Sequence, residues 1–213
     1  MYVPRHFAPA EHDVAELLAQ ARAANLITVG PDGFEASMLP FLHDAPRGTL
    51  CGHLARNNEQ WAHADGRPCL VILTGPDAYI SPGWYPSKAE HGKVVPTWNY
   101  TTVHVHGTVT VHDDNVWVEN LVRRLTDHHE STRADPWSVD DAPAQFVAGQ
   151  LRAIIGIEVH IERIEAKSKL SQNRPPADID GVVVGLRAVG DQPSADAVTA
   201  HRPPPPTVLI NAR

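Results

Sequence analysis

Cysteine is scarce in this chain of 213 residues, which contains only Cys51 and Cys69. They lie in separate apolar segments without Cys-x-x-Cys spacing, so the sequence predicts buried, reduced thiols rather than a disulfide framework. No apolar run approaches the roughly 20 residues that span a bilayer. The opening residues Met1–His6 lack the apolar core of a signal peptide. These absences predict a cytoplasmic protein without a membrane segment.

Positive charge is also in short supply, with 18 lysines and arginines against 25 acidic residues and a formal net charge of −7. Binding to DNA requires a local basic patch, and acidic residues closely follow the longest basic pair, Arg123-Arg124. Direct DNA binding is therefore doubtful. The sequence has no Gly-x-Ser-x-Gly motif and no Walker glycine loop. Asp113-Asp114 and Asp140-Asp141 are poor acid–base pairs because neighbouring side chains point apart. No catalytic residue is predicted.

The hydrophobic pattern predicts a mainly β fold with peripheral helices, of the α+β class. Long helices do not alternate with the strands, so a doubly wound fold is not expected. Closure of the sheet into a barrel is favoured because it removes exposed edges. Gly107, in the longest strand, indicates a bulge or a close backbone approach. Strands are predicted at 26–29, 34–42, 48–54, 69–74, 78–81, 97–112 and 153–164, and helices at 11–24, 57–64, 115–128 and 144–151.

The chain changes character after Arg174. Pro175-Pro176 interrupts it, residues 179–186 are apolar, and Pro203–Pro206 favours an extended polyproline II segment. We predict a barrel domain at 1–174. The remainder, 175–213, is expected to form a C-terminal helix and a proline-rich tail that packs on the barrel or on a partner subunit.

Four segments combine polar, aromatic and glycine residues as a pure core strand does not, namely 37–40, 52–57, 95–100 and 169–174. A phosphate group prefers backbone N–H groups at a helix start together with an arginine, here Arg56. A flat ring needs apolar walls and a few hydrogen-bond partners at its edge. Candidate walls are Leu39, Pro40, Trp98 and Tyr100, and candidate edge partners are Ser37, Asn99, Ser171 and Gln172. Core packing or surface ion pairs are the structural alternatives.

Histidine is abundant, with 13 residues. His104 and His106 point to the same face of a strand, and His128-His129 lies at a predicted helix end, where the helix dipole favours positive charge. Neutral imidazoles can hold zinc, iron or nickel. A half-exposed strand position and a helix end explain these residues without a metal, so no metal site is predicted.

The four segments, in this order and spacing, resemble the PaiB family of FMN-binding proteins. The resemblance covers about residues 1–190, and the chain after residue 190 matches least. The match includes the segments Val95–Tyr100 and Lys169–Arg174. It extends to Met1–Phe7, to Tyr79–Tyr85 with Lys88, and to His104 and Gly107.

The resemblance implies a split β-barrel like that of pyridoxamine-phosphate oxidase. It also implies a homodimer that holds FMN at the subunit interface, with contacts from both chains. Lys169 would lie near the flavin, where a cation stabilises the reduced anion. The candidate cofactor-binding residues are Ser37, Leu39, Pro40, His53, Ala55, Arg56, Asn57, Trp98, Asn99, Tyr100, Lys169, Ser171 and Gln172.

The family carries the label of transcriptional regulator, with the flavin as a redox or ligand-sensing cofactor. Two alternatives stay open from the sequence. One is a flavin-dependent oxidoreductase with a small-molecule substrate, and the other is a binder of haem or another small molecule on the same fold.

Overall fold

The structure is a computed structural model that describes residues 1–204. Its strands are β1 (Ala23–Gly30), β2 (Gly33–Pro40), β3 (Leu42–Asp44), β4 (Thr49–Ala55), β5 (Pro68–Ile80), β6 (Thr97–His112) and β7 (Ile154–Lys169). Its helices are α1 (Glu11–Ala19), α2 (Gln60–Ala64), α3 (Ser87–His91), α4 (Asn115–Glu130), α5 (Ala144–Leu151), α6 (Pro176–Ala188) and α7 (Gln192–Ala200). Short 3-10 turns occupy Arg5–Phe7, Pro82–Trp84 and Val139–Asp141.

All seven strands belong to one sheet, in the order β2-β1-β5-β6-β7-β4-β3. Antiparallel pairing joins β1 to β2 and β5, and joins β4 to β3 and β7. Strands β2 and β3 stand at opposite ends of this order, although only Phe41 separates them in sequence. A Cβ atom on Gly52 of β4 would lie 2.8 Å from the Pro40 carbonyl oxygen at the end of β2. This approach places the end of β2 beside β4, which pairs with the opposite edge strand β3. The seven-stranded sheet confirms the mainly β prediction.

The chain divides into two compact units. The larger unit comprises Ala10–Thr74 and Thr102–Ala166, and the smaller unit comprises Met1–Pro9, Gly75–Thr101 and the described residues from Lys167 to Pro204. The aliphatic side chains of the central strands fill the core of the larger unit. Its least exposed members include Leu26, Leu50, Val71, Val105 and Ile157.

In the smaller unit, α6 packs against Trp84 through two glycines. A Cβ atom on Gly185 would overlap the Trp84 ring, and one on Gly181 would overlap the Trp84 carbonyl oxygen. The glycines are four residues apart and so share one face of the helix. The buried Asp178 carboxylate accepts a 2.7 Å hydrogen bond from Ser87 Oγ, which ties α6 to α3. Helix α6 lies in the segment for which a C-terminal helix was expected.

Several predicted boundaries are wrong. Helix α1 ends at Ala19 rather than at residue 24, because Ala21 adopts a left-handed conformation (φ 47°) that turns the chain into β1. The predicted strands 69–74 and 78–81 form the single strand β5. This strand continues through Gly75, whose missing side chain lets Thr101 approach, since a Cβ there would lie 3.0 Å from Thr101 Cβ.

Other elements were missed. The predicted strand 34–42 breaks at the buried Phe41 into β2 and β3. Helix α3 was not predicted. Helix α7 was not predicted as a separate helix. It forms because Ala195 and Val198 are buried beside α6 and Asp191 caps the helix. The boundary after residue 174 stays a prediction. The tail beyond Pro204, which includes Pro205 and Pro206, lies outside the described residues.

The close approach expected at Gly107 is confirmed. A Cβ atom at this position would overlap the His160 carbonyl oxygen on β7 and would lie 3.0 Å from Val159 Cγ1. The two cysteines are buried and unpaired, as predicted. Burial raises the pKa of Cys69 to about 12, which keeps its thiol protonated. Within residues 1–204, no helix has the length and apolar character needed to cross a bilayer.

Candidate functional site

An open groove runs beside α4 in the larger unit. It consists of two adjoining cavities of about 250 and 300 Å³. His53, Val122 and Trp137 line both cavities and define what is called here the His53 groove. Most of its other walls are aliphatic, and Phe146 adds a second aromatic wall. Such an apolar slot with a few polar groups is typical of sites for small flat ligands.

Sequence spacing explains why these residues meet. Val122, Leu125, Thr126 and His129 recur at helical intervals, so α4 presents them on one face. Asp114 starts this helix by accepting a 3.0 Å hydrogen bond from the Val116 N–H. This face of α4 borders the groove.

Two aromatic side chains of the groove are unusually exposed for their size. Trp137 is 48% exposed and Phe146 is 58% exposed. Neither lies in one of the four segments singled out by sequence, because the groove takes them from the chain between α4 and β7. Large apolar side chains that are exposed next to each other mark sites that bind a ligand or another protein.

His53 is a polar residue that lines both cavities of the groove. Its Nδ1 atom is buried and has no hydrogen-bond partner within residues 1–204. Burial lowers the pKa of this imidazole, which favours the neutral ring. An unsatisfied buried polar atom is costly. A ligand that exchanges a hydrogen bond with Nδ1 would remove that cost.

The other candidates on β2 divide between the groove and the core. Pro40 lines the groove, whereas the adjacent Leu39 is buried in the core. Successive residues of a strand point to opposite faces, so only one of the pair can reach a ligand in the groove. Ser37 Oγ accepts a 2.8 Å hydrogen bond from Asn58 Nδ2. Ser37 thus holds the turn that follows β4.

Arg56 follows directly after β4, as the phosphate hypothesis requires, but it is heavily engaged. Asp113 accepts from Nη1 at 3.2 Å and from Nη2 at 2.6 Å, and the Arg152 carbonyl accepts from Nε at 2.8 Å. The Ile154 carbonyl accepts from Nη2 at 3.5 Å. Four of the five guanidinium N–H groups are therefore in use, which leaves one for a phosphate.

The helix start expected beside Arg56 is wrong by three residues. Helix α2 begins at Gln60 instead of residue 57 and is only five residues long. The Arg56 N–H donates to the Ala153 carbonyl at 2.8 Å, so it is not open to a phosphate. Ala55 pairs with Ile154 across the sheet, and Asn57 is exposed in the turn. A bound phosphate would have to be held by side chains more than by a helix end.

A second group of candidates lies in the smaller unit. Trp98 is half exposed and packs edge-to-face with Tyr79, with 6.3 Å between ring centroids. The Lys169 ammonium donates to the Trp98 carbonyl at 2.9 Å and also to Thr97 Oγ1. Burial lowers the pKa of Lys169. Tyr100 lies near another cation, with its ring centroid 5.5 Å from Lys167 Nζ.

The remaining candidates of this group bond to one another or to the backbone. Asn99 Nδ2 donates to Ser171 Oγ at 2.9 Å, and both residues are buried. Gln172 Nε2 donates to the Ser168 carbonyl at 2.7 Å, and its Oε1 accepts from the Leu170 N–H at 2.7 Å. Ser171 holds a positive φ of 68°. These bonds fix the turn beside Lys169, so we assign Asn99, Ser171 and Gln172 a positioning role in this structure.

No group of three or more metal-ligating side chains converges within the part of the chain that the structure describes. His106 Nε2 lies 3.0 Å from Glu165 Oε2, and His112 Nε2 lies 2.8 Å from Glu158 Oε2. His128 and His129 belong to the last turn of α4. Each of these histidines thus has a structural setting of its own.

Comparison with known proteins identifies the family. The family model described as "Putative FMN-binding domain" matches residues 1–163. Protease synthase and sporulation protein PAI 2 of Bacillus subtilis is 30% identical over 191 residues, which cover 88% of this chain and 89% of that protein. An uncharacterized protein of Saccharomyces cerevisiae is 33% identical over 169 residues, which cover 68% of this chain and 100% of that protein.

Solved structures agree on the fold. The conserved hypothetical protein Rv2991 from Mycobacterium tuberculosis superposes with a TM-score of 0.58 at 12% identity, covering 82% of this chain and 94% of that one. The FAD and heme binding protein from Mycobacterium smegmatis superposes with a TM-score of 0.56 at 16% identity, covering 78% of this chain and 74% of that one. Likeness at such identities concerns the fold alone.

The His53 groove is compatible with a flavin. Its apolar and aromatic walls suit a flat ring system, and His53 lines both of its cavities. FMN is the cofactor to which the family match points. The chain therefore belongs to the PaiB family of FMN-binding proteins and has the FMN-binding split-barrel fold.

Proposed function

We propose that this chain is a homodimeric FMN-binding protein whose flavin is a redox or ligand-sensing cofactor, with its ring system in the His53 groove. The observation that carries the proposal is the meeting of exposed aromatic walls with an imidazole nitrogen that is buried and unbonded. An apolar ring would cover Trp137 and Phe146, and its polar edge would bond to His53.

The candidate residues would have distinct tasks in holding the flavin. Trp137 and Phe146 would exclude water from the ring, and His53 would fix its orientation. Arg56 would contribute its remaining N–H to the phosphate, while Asp113 holds the guanidinium in place. Bound flavin supplies electron or hydride transfer. The resemblance assigns Lys169 and Trp98 to the same cofactor in the dimer, and that assignment remains part of the proposal.

An exposed apolar surface on the β1–β2 hairpin supports the dimer. Phe34 is 86% exposed and Met38 is 70% exposed, and alternation places both on the same face of β2. Val29 pairs with Phe34 across the hairpin and is also exposed. Contiguous exposed apolar side chains mark interaction sites. A second copy of the chain covering this hairpin would bury them.

The dimer is testable by light scattering during gel filtration. Replacing Phe34 and Met38 together by glutamate should yield monomers, because the charges would have to be buried at the interface. A Val116→Glu, Val184→Glu variant is the matched control, because it adds the same two charges to exposed apolar side chains outside the hairpin and the His53 groove. A double variant that elutes with the mass of the wild type would exclude this face as the interface.

Any influence on gene expression should be indirect. The chain carries a net charge of −7, and its basic pair is neutralised by neighbours. Arg123 bonds to Glu119 and Asp140, and Arg124 bonds to Asp44. Retention of DNA at physiological salt, selective for one operator sequence, would contradict this part of the proposal.

The first experiment is an absorption spectrum of the purified protein before and after FMN addition and dialysis. Oxidised-flavin bands that survive dialysis support the proposal, and their loss in a Trp137→Ala, Phe146→Ala variant would place the ring in the groove. A colourless protein that retains no FMN would refute it. Consumption of reduced nicotinamide with an acceptor would instead favour the oxidoreductase alternative.

A further inference from the structure

A second cavity lies beside another face of α4. Its volume is about 270 Å³, and it shares no lining residue with the His53 groove. It is called here the two-arginine pocket. Its lining consists of Asp44, Arg47, Cys51, Trp117, Asn120, Leu121 and Arg124.

Local structure explains how this pocket is built. Trp117, Asn120, Leu121 and Arg124 are spaced at i, i+3, i+4 and i+7, so α4 presents all four on one face. The β3–β4 turn supplies Arg47, whose N–H donates to the Asp44 carbonyl at 3.1 Å. The buried Cys51 of β4 contributes to the lining.

Positive charge exceeds negative charge in this lining. Arg124 Nη2 donates to Asp44 Oδ2 at 2.9 Å. Arg47 makes no ion pair or side-chain hydrogen bond with any residue of the described chain. Two guanidinium groups thus face one carboxylate, a net charge of +1. A local cationic excess beside a concave surface is notable in a chain whose overall charge is −7.

Donors also exceed acceptors. Within residues 1–204, the Asn120 amide has no hydrogen-bond partner. Arg47 brings five N–H donors and no acceptor. The Cys51 thiol adds no negative charge, because burial raises its pKa. The buried Glu158 opposite Cys51 is already bonded to His112 at 2.8 Å. The lining therefore offers unused donors that an anion can accept from.

We propose that the two-arginine pocket binds a small anion through a carboxylate or phosphate group, gripped by Arg47 and Arg124 and bonded to Asn120. The planar guanidinium fork matches both groups in two-point contacts. The cavity falls just below the range of about 300–1,000 Å³ that holds drug-sized ligands, which limits the ligand to a small molecule. Trp117 offers an aromatic wall to an apolar part of that ligand.

Calorimetric titration of the full-length protein tests the proposal, with benzoate and inorganic phosphate as probes at constant ionic strength. Benzamide is the uncharged control for benzoate. Saturable binding of benzoate or phosphate, with benzamide at least tenfold weaker, supports the site. Benzoate binding without phosphate binding identifies a carboxylate site, and the reverse identifies a phosphate site. Absence of saturable binding for both probes overturns the proposal.

Arginine variants locate the binding. Arg47→Gln should weaken the bound probe at least tenfold, and Arg124→Gln should do the same. Arg187→Gln, an exposed arginine of the smaller unit, should bind as the wild type does. Arg47 makes no ion pair in the described chain, so its variant should unfold at the wild-type temperature. Undiminished binding by Arg47→Gln refutes the site.

FMN titration separates this site from the proposed flavin site. Arg47→Gln should bind FMN with wild-type affinity. If it loses FMN affinity, the pocket belongs to the flavin site and the inference of an independent anion site fails. If instead the protein binds no FMN but binds benzoate through Arg47, the proposed function fails while the pocket stands.

Discussion

Replacing His53 by leucine should change stability and flavin affinity in opposite directions. Without ligand, the variant removes a buried nitrogen that has no hydrogen-bond partner within residues 1–204, at similar side-chain volume. Leaving such a group unsatisfied costs about 1–3 kcal/mol, and imperfect packing of leucine offsets part of the gain. We therefore expect the free energy of unfolding of the FMN-free protein to rise by about 1 kcal/mol.

The same variant should bind FMN less tightly. A neutral hydrogen bond contributes about 0.5–1.5 kcal/mol, so the dissociation constant should rise roughly two- to tenfold. Urea unfolding at pH 8, where the imidazole is neutral, measures stability, and quenching of FMN fluorescence measures binding. His160→Leu is the matched control, because His160 is exposed and bonded to Thr110 Oγ1 at 3.1 Å.

The control should leave FMN affinity unchanged and alter stability by less than about 0.5 kcal/mol. Loss of stability in His53→Leu together with unchanged FMN affinity would refute the reasoning. That result would mean that Nδ1 is satisfied by water in the free protein and is not used by the flavin.

Further expectations concern the phosphate, the redox potential, the strands and pH. Arg56→Ala should weaken FMN far more than riboflavin, and equal losses in a fluorescence titration would remove Arg56 from the phosphate. Lys169→Ala should lower the reduction potential of bound flavin, and an unchanged potential would exclude Lys169 from the site. Gly107→Ala should lower the free energy of unfolding by about 1–3 kcal/mol, because the added methyl group overpacks the site. Gly149→Ala has open space around it and should raise the free energy of unfolding by up to about 1 kcal/mol. Similar urea midpoints for the two variants would contradict these expectations. Burial lowers the pKa of His53 below 6.5, so just below pH 6.5 the unfolded chain binds more protons than the folded chain does. The free energy of unfolding should therefore fall as pH drops through that range, and it should fall less steeply in His53→Leu.

Strong local patterns made parts of the fold predictable. The bounds of β6 and α5 agree with prediction because β-branched alternation and helical periodicity are unambiguous there. The Gly75-Pro76 pair has the local signature of a break, yet tertiary pairing carries β5 through it. Phe41 reads as one more strand residue, although its burial redirects the chain between the two edges of the sheet.

The candidate site was only partly predictable for a related reason. Sequence segments led to Pro40 and His53, but Trp137 and Phe146 join them through packing between elements that are far apart in sequence. Arg56 was recognised as a cation, while its engagement by Asp113, 57 positions away, was invisible. The type of a residue suggests its role from sequence. Its tertiary partners decide how many of its hydrogen-bonding groups remain free for a ligand.

The packing of Trp84 against α6 limits which substitutions this helix can accept. Because Gly181 and Gly185 leave no room for any Cβ atom, a saturation scan of α6 should show two positions, one turn apart, that reject every replacement. Val184 lies between them and is exposed, so it should accept most side chains. Substitutions should therefore accumulate along this helix except at the two glycines. The spacing of those two positions is set by contact with Trp84, more than 90 residues earlier in the sequence.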